Sequence, residues 1–100
     1  MAYQNNIASR IISSENISSS GTSAQSGAAP FGATIARIAT SANVNIVISP
    51  SPTATAAGTL IAPADAAYFV VKPASTVGGT DGEKVASIGT ATVNVTWLAG

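Results

Sequence analysis

The stretch Asn43–Ser49, NVNIVIS, decides the reading of this chain. Val44, Ile46 and Ile48 fall on one side of an extended backbone, and Asn45, Val47 and Ser49 fall on the other. A period of two is the mark of a half-buried β-strand, because successive side chains of a strand point to opposite faces. Pro50 and Pro52 end the run, since proline cannot donate to a sheet ladder.

Working outward, the same pattern recurs. Ala33–Thr40 (ATIARIAT) sets Ile35 and Arg37 against Ala36 and Ile38, and Ser41-Ala42-Asn43 suits a turn. Thr59–Ala62 is a short strand between Gly58 and Pro63, and Ala67–Lys72 (AYFVVK) is a bulkier one stopped by Pro73. The segment from Pro73 to Gly82 contains Gly78-Gly79 and Asp81-Gly82, which favour turns. Lys84–Ile88 and Ala91–Leu98 follow, split by Gly89-Thr90, and Val93, Val95 and Trp97 share a face of the last strand. No segment of helical length and period lies between these runs. The expectation is an all-β fold: an antiparallel β-sandwich or barrel of about six to seven strands. Ala and Thr suit either side of a strand, so the sequence leaves open which faces are buried.

Residues 1–32 differ in composition. Ile7, Ile11, Ile12 and Ile17 are the large aliphatic anchors there, and a short strand over Ile7–Ser13 is expected. Ser18–Pro30 (SSSGTSAQSGAAP) has the composition of a flexible linker. The organisation expected is an extended Ser/Gly-rich N-terminal arm over 1–32, with a β-sandwich domain over 33–100.

Composition narrows the function. Charged residues are 8% of the 100 residues and cancel to a net charge of zero, against about a quarter in ordinary soluble domains. So weakly charged a protein tends to associate. Apolar residues make up 46%, but only 5% are aromatic, and a modest core of Ala, Val and Ile is commonly supplemented by oligomerisation or docking. Arg10, Arg37, Lys72 and Lys84 are scattered, so the basic stripe that nucleic-acid binding needs is missing. The longest strongly apolar run, Ala66–Val71, is far short of the roughly 20 residues of a membrane-spanning helix. MAYQNNIASR does not resemble a secretory leader, and the glycosylation patterns at Asn16-Ile17-Ser18 and Asn94-Val95-Thr96 are read as chance matches.

The chemistry available is thin. The chain has no histidine and no cysteine, which excludes Ser-His-Asp and Cys-His catalysis, disulfides, and zinc sites of the ordinary kind. Asp81 and Glu83 in DGEK are weighed as a calcium site, but the ligand spacing is absent and a turn with solvated charges is preferred. Asp65 reads as a turn residue, not a general acid. Gly78–Gly82 lacks the Lys-Ser/Thr and the helix of a phosphate loop. Tyr68, Phe69 and Trp97 are weighed as stacking platforms, with core packing preferred. No enzyme activity, cofactor or metal is expected. Tyr3, Ile7, Ile11, Ile12, Ile17, Phe31 and Trp97 are the candidate interface residues, since aromatic and large aliphatic side chains anchor interfaces.

An ordered set of pieces gives a resemblance. RIAT (Arg37–Thr40) is followed by PTAT (Pro52–Thr55), LIAPAD (Leu60–Asp65), YFVVKP (Tyr68–Pro73), KVASI (Lys84–Ile88) and NVT (Asn94–Thr96). From Thr34 to Trp97, about two-thirds of the chain, the sequence resembles a group of small β-rich virion proteins of tailed bacteriophages. Members often have a short proline-glycine turn before the KVA strand, where this chain has PASTVGGTDGE (Pro73–Glu83). The resemblance implies a structural protein of the virus particle at the capsid surface, with no catalytic residues. The leading expectation is a head decoration (cement) protein that binds the major capsid protein and also itself, as a homotrimer or other homo-oligomer. A neck, tail or fibre component is the alternative, and a sugar- or peptide-binding β module a further one.

Overall fold

A computed structural model describes residues 10–64 and 66–99. Eight strands follow one another: β1 (Arg10–Ser19), β2 (Ala24–Gln25), β3 (Ile35–Thr40), β4 (Val44–Ser49), β5 (Thr59–Ile61), β6 (Ala67–Val70), β7 (Lys84–Ile88) and β8 (Ala91–Ala99). There is no helix among the described residues. The strands form two four-stranded sheets, ordered β1-β8-β3-β6 and β2-β7-β4-β5, and every neighbouring pair is antiparallel. The all-β sandwich is therefore the fold. Of the consecutive strands only β4 and β5 pair with each other; every other connection carries the chain from one sheet to the other.

The period-two runs become the strands that carry the core. Ala36 and Ile38 of β3, Val44 and Ile46 of β4, Val85 of β7, and Val93, Val95 and Trp97 of β8 are buried between the sheets. Small side chains make close backbone crossings feasible. At Gly82 an added Cβ would collide with the carbonyl oxygen of Ala29 and sit 2.8 Å from the backbone nitrogen of Ala74. That crossing is held by Ala74 N–H to Ala29 O (3.0 Å) and Ala29 N–H to Glu83 O (2.8 Å). Gly89, with φ of 122°, takes the chain from β7 into β8, a backbone shape that side-chain-bearing residues rarely adopt.

The N-terminal reading needs correction over its described part. Residues 10–19 are not an arm beside the sandwich but a ten-residue edge strand, running antiparallel along β8 from Arg10↔Ala99 to Ser19↔Ala91. A bulge between Ile11 and Ser13 breaks the register once. The described strand covers residues 10–13 of the expected Ile7–Ser13 and runs on to Ser19, while residues 7–9 lie outside the described part. The serines of the supposed linker serve as hydrogen-bonding partners for backbone elsewhere. Ser26 exchanges bonds with Val85: its N–H donates to Val85 O (2.7 Å) and its Oγ accepts from Val85 N–H (2.9 Å). Ser23 Oγ accepts from Ala54 N–H at 2.8 Å. Ser87 of β7 donates to Ser19 of β1 at 2.9 Å, a buried hydroxyl pair that ties one sheet to the other. A polar segment can be ordered in this way when each buried polar group finds a partner.

Candidate functional site

On β8, Val93, Val95 and Trp97 point into the core, so Thr92, Asn94, Thr96 and Leu98 lie on the outer face of the first sheet. The register then fixes the neighbours. Leu98 stands opposite Ile11 on one side and Ile35 on the other, and Ile35 stands opposite Val70. One apolar row, Ile11–Leu98–Ile35–Val70, thus crosses all four strands at the end where β1 and β3 begin and β6 and β8 finish. Leu98 is flanked on both sides and nearly buried, whereas Ile11 is 67% and Val70 87% exposed. Tyr68, 62% exposed, sits one row further in, opposite Arg37. Phe31, half exposed, precedes Gly32, where an added Cβ would lie 3.9 Å from Ile12 Cδ1. That turn therefore rests against the bulged start of β1, at the same end of the sheet.

Beyond this end the outer face is mostly polar, and Arg37, between Tyr68 and Thr96, is its one charge among the described strand residues. Asn94 Nδ2 donates to Ser14 Oγ and to Asn16 Oδ1, each at 3.0 Å, and Thr96 Oγ1 donates to Asn94 Oδ1 at 2.9 Å. The face is thus divided into an apolar end and an amide–hydroxyl end. Fully burying an aliphatic side chain such as Val70 or Ile11 is worth about 1.5–3 kcal/mol. This row can hold a partner only modestly by itself, and firmly where many copies act together.

The sequence-derived candidates divide. Tyr3 and Ile7 lie outside the described residues, as does Asp65. Ile11 and Phe31 are exposed at the apolar end. Ile12, the bulged residue, is half-buried and packs on the core, and Ile17 is a core residue. Trp97 is 1% exposed and cannot anchor a partner or serve as a stacking platform. It lies on an inner strand flanked by β1 and β3, and its indole N–H donates to Glu15 Oε2 at 3.1 Å. The other oxygen of Glu15 accepts from Gly27 N–H at 2.8 Å, so one carboxylate fastens β1 to β8 and to the loop after β2. Of the other two aromatics weighed, Tyr68 is exposed and Phe69 is turned inward. Phe69 helps line an open groove of about 300 Å³ with Ile46, Ile48 and Gly58. Val70 is the most exposed large apolar residue among those described, yet the composition of YFVVKP does not single it out; only the parity of β6 against β3 does.

The DGEK carboxylates close the loop that they belong to. Asp81 accepts from the hydroxyl of Ser75 (2.7 Å) and from its N–H (3.0 Å), which together hold its carboxyl below the ordinary value. Glu83 accepts from Lys72 N–H at 2.8 Å, while its own N–H donates to Lys72 O at 2.9 Å. Each acid thus has backbone partners of its own. Among the described residues, no three His, Cys, Asp or Glu side chains gather in a group suited to a metal ion. No helix among the described residues is long and apolar enough to cross a membrane.

Comparison of the chain with protein-family models, curated proteins and solved structures finds no match.

Proposed function

We propose that this protein is a structural subunit of a tailed-phage particle, a decoration protein that docks on the capsid surface against the major capsid protein. The observation that carries the reading is the apolar row Ile11–Leu98–Ile35–Val70 on the outer face of a sheet whose other face is already packed, with Ile11 and Val70 exposed at its two ends. A small domain that keeps the two ends of such a row exposed, with so few charges around it, is suited to rest on another protein surface. The ordered pieces from Thr34 to Trp97 point to the same class of protein. In this reading Ile11, Val70, Tyr68 and Phe31 make the contact and self-association adds avidity. The work done is mechanical: many weak contacts, repeated over a lattice, hold capsid subunits together.

The reading is tested by co-sedimentation of the purified protein with heads that lack it. Ile11→Ser combined with Val70→Ser should abolish binding while leaving thermal unfolding nearly unchanged, because both side chains are already exposed in the free subunit. Binding by that variant at the wild-type level would refute the assignment of this face.

A further inference from the structure

Each sheet of a sandwich has two edges, and an open edge is a template for another strand. Three of the four edges here are short. β2 has two residues, β5 three and β6 four. Pro63 closely follows β5, and Pro73 follows β6. β1 differs. It runs for ten residues, against about 5–6 for a common strand. It contains no proline and no lysine, and among the described strands it pairs only with β8. Its outward residues Ser14, Asn16 and Ser18 are exposed and uncharged. The Asn94–Asn16–Ser14 hydrogen bonds bring a polar ladder up to this edge.

We propose that two copies of this chain pair through β1, antiparallel about a two-fold axis at Asn16, joining their first sheets into one continuous sheet. This goes beyond the capsid reading and does not depend on it. The register follows from elimination. In an antiparallel pair, opposed residues share a face, so the axis passes through one residue of β1 and its copy. An axis at Glu15 opposes two carboxylates directly, which is unfavourable. An axis at Ser14 runs the pairing into the bulge between Ile11 and Ser13. An axis at Ile17 shortens the overlap within the strand. With the axis at Asn16, Ser13–Ser19 of both copies pair clear of the bulge. Ser14 then faces Ser18 of the other copy, Glu15 faces Ile17, and the two Asn16 amides meet at the axis. The contact is the same patch on both copies, so it closes as a dimer and does not propagate into a filament.

Sedimentation-equilibrium experiments on the full chain test this, with two double variants that alter the same exposed positions. Ser14→Lys with Ser18→Lys puts lysine opposite lysine twice across the axis and should weaken the dimer about tenfold or more. Ser14→Lys with Ser18→Glu puts lysine opposite glutamate twice and should restore it. Because both variants lose the same serines, misfolding cannot produce the contrast, and circular dichroism checks the fold of each. A wild-type protein that stays monomeric up to its solubility limit would overturn the proposal. So would a dimer indifferent to the lysine pair, or a glutamate variant as weak as the lysine one. A chain that dimerises only after deletion of residues 1–9 would overturn it too, assigning the edge to the chain's own N-terminal segment.

Discussion

Glu15→Ala removes the acceptor of a buried donor. The Trp97 indole N–H donates to Glu15 Oε2 from a side chain that is 1% exposed, so truncation of Glu15 leaves a donor held in the protein without its protein acceptor. The second bond, from Gly27 N–H to Glu15 Oε1, involves an exposed residue that water can serve. The cost is therefore dominated by one orphaned N–H, about 1–3 kcal/mol. A central value of about 2 kcal/mol lowers the melting temperature of a domain of this size by roughly 8–16 °C. The cause is isolated by a second background. In Trp97→Phe there is no N–H to orphan, so Glu15→Ala should cost less than about 1 kcal/mol there, a coupling of at least about 1 kcal/mol. Urea unfolding followed by far-UV circular dichroism measures all four proteins alike. Equal costs of Glu15→Ala in the two backgrounds would refute the claim that Glu15 acts through Trp97.

The inter-sheet pair Ser19–Ser87 should show the asymmetry of buried hydrogen bonds. Either single alanine variant leaves one hydroxyl unpaired and should cost about 1–3 kcal/mol, while the double variant should cost less than the sum of the two singles. Additive costs in chemical denaturation would argue against the pair. The Asp81–Ser75 clip should respond to acid. Its folded-state pKa is depressed by the Ser75 hydroxyl and amide, so its contribution is complete above the ordinary value of 3.8 and is lost as pH falls through the lower folded value. An NMR titration should move the Ser75 amide with the Asp81 carboxyl, and Ser75→Ala should shift the Asp81 midpoint upward. An unchanged midpoint would mean that Ser75 does not hold the carboxylate.

Much of the fold is legible where β-branched residues recur between glycine and proline breaks. KVASI predicts the strand Lys84–Ile88, the bounds of β7, and NVNIVIS predicts β4 to within a residue. What composition concealed is the continuation of β1 past Ser13 to Ser19. An edge strand needs only one apolar face, and here that face is sparse: Ile17, with Ile12 supplied by a bulge. Most of the rest is Ser and Asn, and Ser14 and Asn16 bond to Asn94 and Thr96 across the sheet, partners about eighty positions away that no local pattern reveals. Likewise the two-residue β2 carries no periodicity at all. The candidate surface was legible in part. Ile11 and Phe31 are exposed, but Trp97 followed the alternation of its own strand into the core. Val70 joins the row, and Tyr68 the position next to it on the same face, only once β6 is paired with β3, because the sequence does not say which side of AYFVVK faces inward.

The central claim is the place of this protein in a virus particle, and counting tests it most directly. On the proposed reading a tailed phage carries this gene; its particles can be purified, and the protein quantified by mass spectrometry against the major capsid protein. The account predicts hundreds of copies per particle, as a lattice of decoration sites requires. A dozen or so copies would move the protein to the neck or tail and contradict the decoration role, and none would contradict a place in the virion altogether.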